Sequence, residues 1–370
     1  MSEVHMARRS RLRDRPAADE ATAVLVSAPA NLRYLTGCAP PGAALLLAPD
    51  GRDTLVTRQD GRPGPSLPPD LGDALRVHAL PGPDAEPVAV AAGLAAAARA
   101  AVLAVEEHHL TVARHRVLAA AAPRLRLADL GCAVERQRLV KDDEEIAALR
   151  IAAEITDQAL GELLESILVG RTERHLALEL ERRLIDHGAE RPAFPTSVAT
   201  GRHSGLAGHV PSDLRVEEGD FLTVRLGASY RGYRCRIGRT FVIGTAPADW
   251  QIRLYDLVFT AQRAAREALA PGTEYRAVDR AARQLLEAAG YGGALGPAVG
   301  AGVGLEIGED PALSPAAVGK LDACVPVTVE PGVHLPGRGG VRIDDTLVVR
   351  SLSDGGPELL TITTKELLAL

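Results

Sequence analysis

GDFLTVRLGASYRGYRCRIGRTF, residues 219–241, marks a change of period in the chain. After Gly219 the pattern alternates. Leu222, Val224 and Leu226 fall on one face of a strand, with Phe221, Thr223 and Arg225 on the other. VPVTVEPG (325–332) and VRIDDTLVVR (341–350) read as further strands, with two helices, about 249–269 and 274–289, in between. Upstream, KDDEEIAALRIAAEITDQALGELLESIL (141–168) sets Ile146, Leu149, Ala153, Leu160, Leu163 and Ile167 at helical spacing. Asp142 with Glu145 three residues later has the form of a helix start, and Gly170 that of a stop. A second helix runs from about Glu173 to His187, before Gly188. Strands and helices of this kind predict an α+β domain.

The N-terminal third has another texture. TAVLVSA (22–28) and ALLLAP (44–49) are short apolar runs bounded by turn residues, as in buried strands. GRPGPSLPPDLG (61–72) is a turn-rich loop. A helix over 86–100, a strand over 101–106 and a helix over 111–123 follow. Alternating strands and helices predict an α/β domain. The expected division is 1–130 and 131–370, with no internal repeat and no low-complexity linker.

Composition narrows the function. With 370 residues, two domains can each bury a core. Aromatics at 3% and a net charge of -6 disfavour nucleic-acid binding, which needs stacking platforms and a basic face. The start, MSEVHMARRSRLRDRP, lacks the apolar run of a signal peptide. Val88–Val105 is apolar but alanine-rich and holds Arg99, so it reads as a helix then a strand and not a membrane span. Cys38, Cys132, Cys235 and Cys324 form no Cys-x-x-Cys pair and read as small buried residues in a reducing cytoplasm.

Several segments, in order, resemble the creatinase, aminopeptidase P and prolidase family: NLRYLTG (31–37), LVKDDEEIAALRIAAEITDQAL, VGRTERHLALELE, SVATG, VEEGDFL, RGYRCRIGRTF, GVGLEIGED, VEPGVHLPGRGGVRIDDT and GGPELLT. The resemblance implies an α/β N-terminal domain followed by an α+β "pita-bread" domain. It also implies Xaa-Pro peptidase chemistry at two divalent cations, Mn, Co or Zn, that activate a bridging water. Homodimers are the family expectation. Asp, Asp, His, Glu and Glu ligate the pair, and their positions fall here on Arg225, Arg236, Ala301, Glu330 and Asp344. Two carboxylates of five ligands remain, so no metal cofactor is expected.

The resemblance further matches His209 to a proton-handling histidine and Arg342 to an arginine near the site. Gly308 and, through an uneven loop, Pro297 fall where other family histidines stand. Guanidinium forks match carboxylates in a bidentate way, so Arg225 and Arg236 are expected where the metals would stand, paired with Glu330 and Asp344. The same arginines, with Arg342, are candidate anchors for a ligand carboxylate. Three functions stay open: a non-catalytic protein binding a peptide-like or small-molecule ligand, an Xaa-Pro peptidase with an altered metal site, and a metal-free, creatinase-like amidinohydrolase using His209. Cys235 could only be a nucleophile with a base beside it, and none is identifiable. His108, His109 and His115 read as solvated, and His203 has no assignment.

Overall fold

The computed structural model describes residues 2–13, 21–59, 75–82, 85–166 and 168–370. The loop expected over 61–72 and Ile167 lie outside the described residues. The chain divides into two units, Met1–Arg138 and Leu139–Leu370.

The first unit holds a six-stranded sheet in the order Arg76–Pro81, Thr54–Gln59, Ala44–Leu47, Thr22–Val26, Val102–Val105, Arg126–Asp129. Thr22–Val26 pairs antiparallel with Ala44–Leu47 and parallel with Val102–Val105, so the sheet is mixed. The apolar runs read as strands are the buried central ones, and helix Pro87–Ala97 packs Val88, Ala91, Ala92 and Ala95 onto them. Two helices escape hydrophobic periodicity. Ser2–Arg13 is fastened by arginines instead of an apolar stripe: Arg9 Nε bonds Asp53 Oδ2 at 2.7 Å, and the Arg8 guanidinium lies 4.0 Å from the Tyr34 ring centroid. Pro29–Thr36 carries most of the NLRYLTG segment and ends at Gly37, whose φ of 79° is the left-handed cap glycine favours.

In the second unit, helix Asp143–Leu164 starts with the expected capping box. Glu145 N donates to Asp142 Oδ1 and Asp142 N to Glu145 Oε2, each at 3.0 Å. It ends at Leu164, short of Gly170. Helix Glu173–Asp186 is capped by the Thr172 hydroxyl. Every sheet here is antiparallel: Ile237–Val242 with Phe221–Leu226 and Ser197–Thr200, a five-stranded sheet centred on Pro326–Val329, the hairpin Gly332–Leu335 with Gly339–Arg342, and a short sheet over Arg191–Pro192, Ala228–Tyr230 and Tyr233–Arg234. Helices Asp249–Glu267 and Tyr275–Ala288 complete the α+β arrangement. Strand Phe221–Leu226 is buried on both faces. Leu222, Val224 and Leu226 join one apolar core, while Phe221 joins the other, across from helix Asp249–Glu267.

One buried ion pair ties the two larger sheets together. Arg239 has no exposed surface. Its Nη2 lies 2.8 Å from Asp345 Oδ1, and its other donors reach the carbonyls of Gly238, Asp344, Thr363 and Thr364 at 2.8–3.2 Å. Removing one partner strands a desolvated charge. Arg239→Ala should therefore lower unfolding free energy by about 3–5 kcal/mol, read by urea denaturation. A loss under about 1 kcal/mol, the range of an exposed pair, would show that this pair does not hold the sheets.

Candidate functional site

Five charged side chains converge from five strands. Arg225 comes from Phe221–Leu226, Arg236 from just before Ile237–Val242, Glu330 from the end of Pro326–Val329, Arg342 from the end of Gly339–Arg342, and Asp344 from just before Asp345–Val348. Asp344 meets Gly238 in an isolated antiparallel bridge, and Gly238 lies opposite Arg225 in the neighbouring ladder. Glycine is needed there, because a Cβ would stand 2.6 Å from Asp344 Cγ. The close backbone approach brings the Asp344 carboxylate beside Arg225.

The arginines saturate both carboxylates. Arg225 Nε lies 2.9 Å from Asp344 Oδ2 and its Nη2 3.3 Å from Glu330 Oε2. Arg342 Nε lies 2.8 Å from Asp344 Oδ1, and its Nη2 bonds Glu330 Oε2. Arg236 Nη1 reaches both Glu330 oxygens at 2.6 Å, and its guanidinium rests 4.9 Å from the Phe194 ring centroid. Thr328 Oγ1 donates to Glu330 Oε1 at 2.8 Å. The Arg236 Nε is buried with no hydrogen-bond partner among the described residues. Ala301 lies opposite Thr328 in the adjoining ladder and offers a methyl group where a donor atom would be needed.

Asp344 has no exposed surface. Burial alone would raise its pKa, but Arg342, Arg225 and Arg236 outweigh burial and hold the carboxyl below its usual range. Burial lowers the Arg225 pKa, and although Asp344 opposes this, Arg342 and Arg236 add to it. For Arg342 burial is outweighed by Asp344 and Glu330, and the pKa rises. Three cations face two anions, a formal surplus of one positive charge (3 − 2 = 1). Such a cluster can accept one further anionic group.

Beside it, Glu330, Arg342, His334, Arg283 and Pro331 line a small recess. The sequence pattern does not single out His334, although it stands between Glu330 and Arg342 in VEPGVHLPGRGGVRIDD. Its burial, then the nearby Arg342, keep its pKa below the usual imidazole value.

His209 stands in a different constellation. Its Nε2 lies 2.8 Å from Glu173 Oε2, and His203 Nδ1 lies 3.0 Å from Glu173 Oε1, with the rings 4.3 Å apart. Glu173 has no exposed surface and also accepts from the backbone of Thr200 and from the backbone and hydroxyl of Ser212. Burial opposes its ionisation, but these donors prevail, Ser212 first, and its pKa is lowered. Glu173, His203 and His209 are close enough to share a metal ion, yet both carboxylate oxygens already serve to pin the 200–212 loop. Sequence reasoning missed Glu173 because an acidic residue in a first helical turn reads as a favourable helix end and nothing more.

The cysteine expectation needs correction at two positions. Cys38 and Cys235 are buried, but Cys132 and Cys324 are partly exposed. Cys235 lies 2.9 Å from Thr156 Oγ1 and 3.1 Å from the Ala152 carbonyl, and burial pushes its thiol up to about 12, which suits packing and not attack. His108 is exposed, as expected, and its ring also bonds Glu135.

Residues 147–351 match Metallopeptidase family M24, and residues 8–140 match the Creatinase/Prolidase N-terminal domain. An Xaa-Pro dipeptidase of Pyrococcus furiosus is 40% identical over 231 residues, 62% of this chain and 65% of that protein. That share, and the 66% for a dipeptidase of Pyrococcus horikoshii, fall just short of two thirds of those relatives' length. An uncharacterised peptidase of Bacillus subtilis is 35% identical over 72% of this chain and 75% of its own. Among solved structures, an Xaa-Pro dipeptidase from Bacillus anthracis superposes with a TM-score of 0.90 at 30% identity, covering 99% of this chain and 100% of that one. With its N-terminal α/β domain and its second, pita-bread domain both matched, the chain belongs to metallopeptidase family M24, among the creatinase, aminopeptidase P and prolidase proteins.

Proposed function

We propose that this chain is an Xaa-Pro peptidase-like protein that binds a peptide-like or small-molecule ligand with a carboxylate group and does not use two-metal hydrolysis. The observation that carries this reading is that Arg225, Arg236 and Arg342 together engage both Glu330 and Asp344. Of the five positions that the family resemblance assigns to metal ligands, two offer oxygen donors, and both are already neutralised. A divalent cation would meet a formally positive cluster and too few donors, so the residues present do not fit the metal pair. The surplus positive charge and the partnerless Arg236 Nε suit a carboxylate instead.

The active-peptidase reading is favoured by the names of the relatives and is separated by metal analysis. Purified protein should hold no stoichiometric Mn, Co or Zn, and adding these ions should give no Xaa-Pro cleavage. Metal-dependent turnover abolished by a chelator sinks the proposal. Arg225→Asp, Arg236→Asp and Ala301→His together restore a donor set, and this variant should gain a metal-dependent rise in Tm that the parent lacks. The amidinohydrolase reading has less support, because His209 is tied to the buried Glu173.

We also place the protein in the cytoplasm as a homodimer. Recovery only from an exported fraction, or sedimentation as monomer alone at micromolar concentration, would count against those two placements.

Arg225→Ala removes one of the cations compensating Asp344. The site is neither fully wet nor fully dry, so the loss should be about 1–3 kcal/mol at pH 7, between exposed and buried pairs. The folded-state pKa of Asp344 is lowered. Its contribution is therefore present above the unfolded carboxylate pKa, about 3.9, and is lost as pH falls through the folded value. The cost of Arg225→Ala should shrink below about pH 4. Denaturation curves for both proteins across that range check it, and an equal melt at pH 7 would refute the compensating role.

A further inference from the structure

The first unit holds a thiol that the peptidase comparison leaves unexplained. Cys132 is partly exposed in the turn between Arg126–Asp129 and Ala133–Arg138. Its Sγ stands 3.7 Å from His108 Nδ1. The opposite ring nitrogen, His108 Nε2, lies 2.9 Å from Glu135 Oε1. Glu135 is itself held in place. Oε1 also accepts from Asn31 Nδ2 at 2.6 Å, and the buried Asn31 is fixed by Glu106 and by Arg138 Nη1 at 2.7 Å. Burial opposes charge on Glu135, but its bonds, that from Asn31 first, hold its carboxyl below the usual range. An ionised carboxylate only accepts, so neutral His108 carries its proton on Nε2. The Nδ1 lone pair then faces the Cys132 thiol.

We propose that Cys132 is a reactive thiol deprotonated by His108, with Glu135 as the positioning residue, and that small hydroperoxides modify it. Thiol, imidazole and carboxylate stand in series as nucleophile, base and orienting group. The same trio makes a poor chelate, although its ligand atoms lie close together. Cys132 and Glu135 meet opposite nitrogens of one ring, so a single cation cannot take sulfur, Nδ1 and carboxylate unless the ring turns. In the step itself, the Cys132 proton passes to His108 Nδ1 and the thiolate attacks one peroxide oxygen. The S–O bond forms as the O–O bond breaks, and the departing oxygen takes the proton from His108 and leaves as water or an alcohol. Sulfur is oxidised by two electrons to a sulfenic acid, and the peroxide is reduced by two.

Cys324 supplies an internal comparison. It is also partly exposed, but the partner described at its Sγ is Arg350 Nη1, at 3.0 Å, which is a cation and not a base. Full-length protein is treated with hydrogen peroxide and a sulfenic-acid trap, then digested, and labelling is followed at each cysteine by mass spectrometry. Cys132 should be labelled in the wild-type chain, and His108→Gln should slow it by about ten-fold or more while Cys324, which has an arginine and no imidazole at its sulfur, is unchanged. Glu135→Gln should slow it as well, and Glu135→Asp should restore part of the rate, which a merely structural role would not. Labelling of Cys132 in the wild-type chain needs no variant to fold. No labelling of Cys132 in the wild-type chain, or a Cys132 rate untouched by His108→Gln in a folded variant, overturns the proposal.

Discussion

The Asp344 carboxylate has no exposed surface, and an ionised group in that position must be neutralised from within the fold. The second unit is arranged around this need. Gly238 lacks the Cβ that would collide with Asp344, the backbone bridge between residues 238 and 344 joins the two larger sheets, and Arg225 and Arg342 supply the charge. One residue further on, Asp345 repeats the arrangement with Arg239, Lys365, Gln262 and Thr361. Adjacent aspartates thus face opposite sides of the strand start, each with its own set of donors. The first set is partly open to solvent through its arginines, and in the second Arg239 is fully buried while Lys365 is partly exposed.

Guanidinium and metal solve the same electrostatic problem with different consequences. A divalent cation brings charge and open coordination positions, so it can also activate water. A guanidinium brings charge and directional donors that are consumed in bonding the carboxylates. Glu330 accepts from three arginines and Thr328, which leaves its oxygens little capacity for another partner. The cations are also covalent parts of the chain. The charge these arginines bring is therefore fixed by the sequence.

Much of this was legible in the sequence, because periodicity and spacing are local. The shift to alternation after Gly219 and the Asp142–Glu145 helix start both correspond to the elements found. The eleven-residue interval between Arg225 and Arg236 (236 − 225 = 11) set both on adjoining strands. What stayed hidden depends on partners distant in the chain. Helix Ser2–Arg13 has no apolar stripe: beside buried Leu12, it is held by Arg8 and Arg9, which reach Asp53, Tyr34 and Leu35. Glu173 looked like an ordinary first-turn acid until the 200–212 loop folded onto it. Cys132 and His108 are 24 residues apart, and no periodic signal links a turn to the end of a distant strand.

The two histidine–carboxylate pairings show how the same residue types acquire different chemistry from their surroundings. Glu173 is buried and bonded by five donors, so His203 and His209 act on it as struts that hold a loop. Glu135 has fewer donors, and its histidine is half-exposed, with the second nitrogen turned toward sulfur. In the first case each imidazole ends a network. In the second the imidazole connects two groups, and a proton can move along the connection. Hydrogen-bond topology, more than the identity of the residues, separates a structural histidine from one able to act as a base.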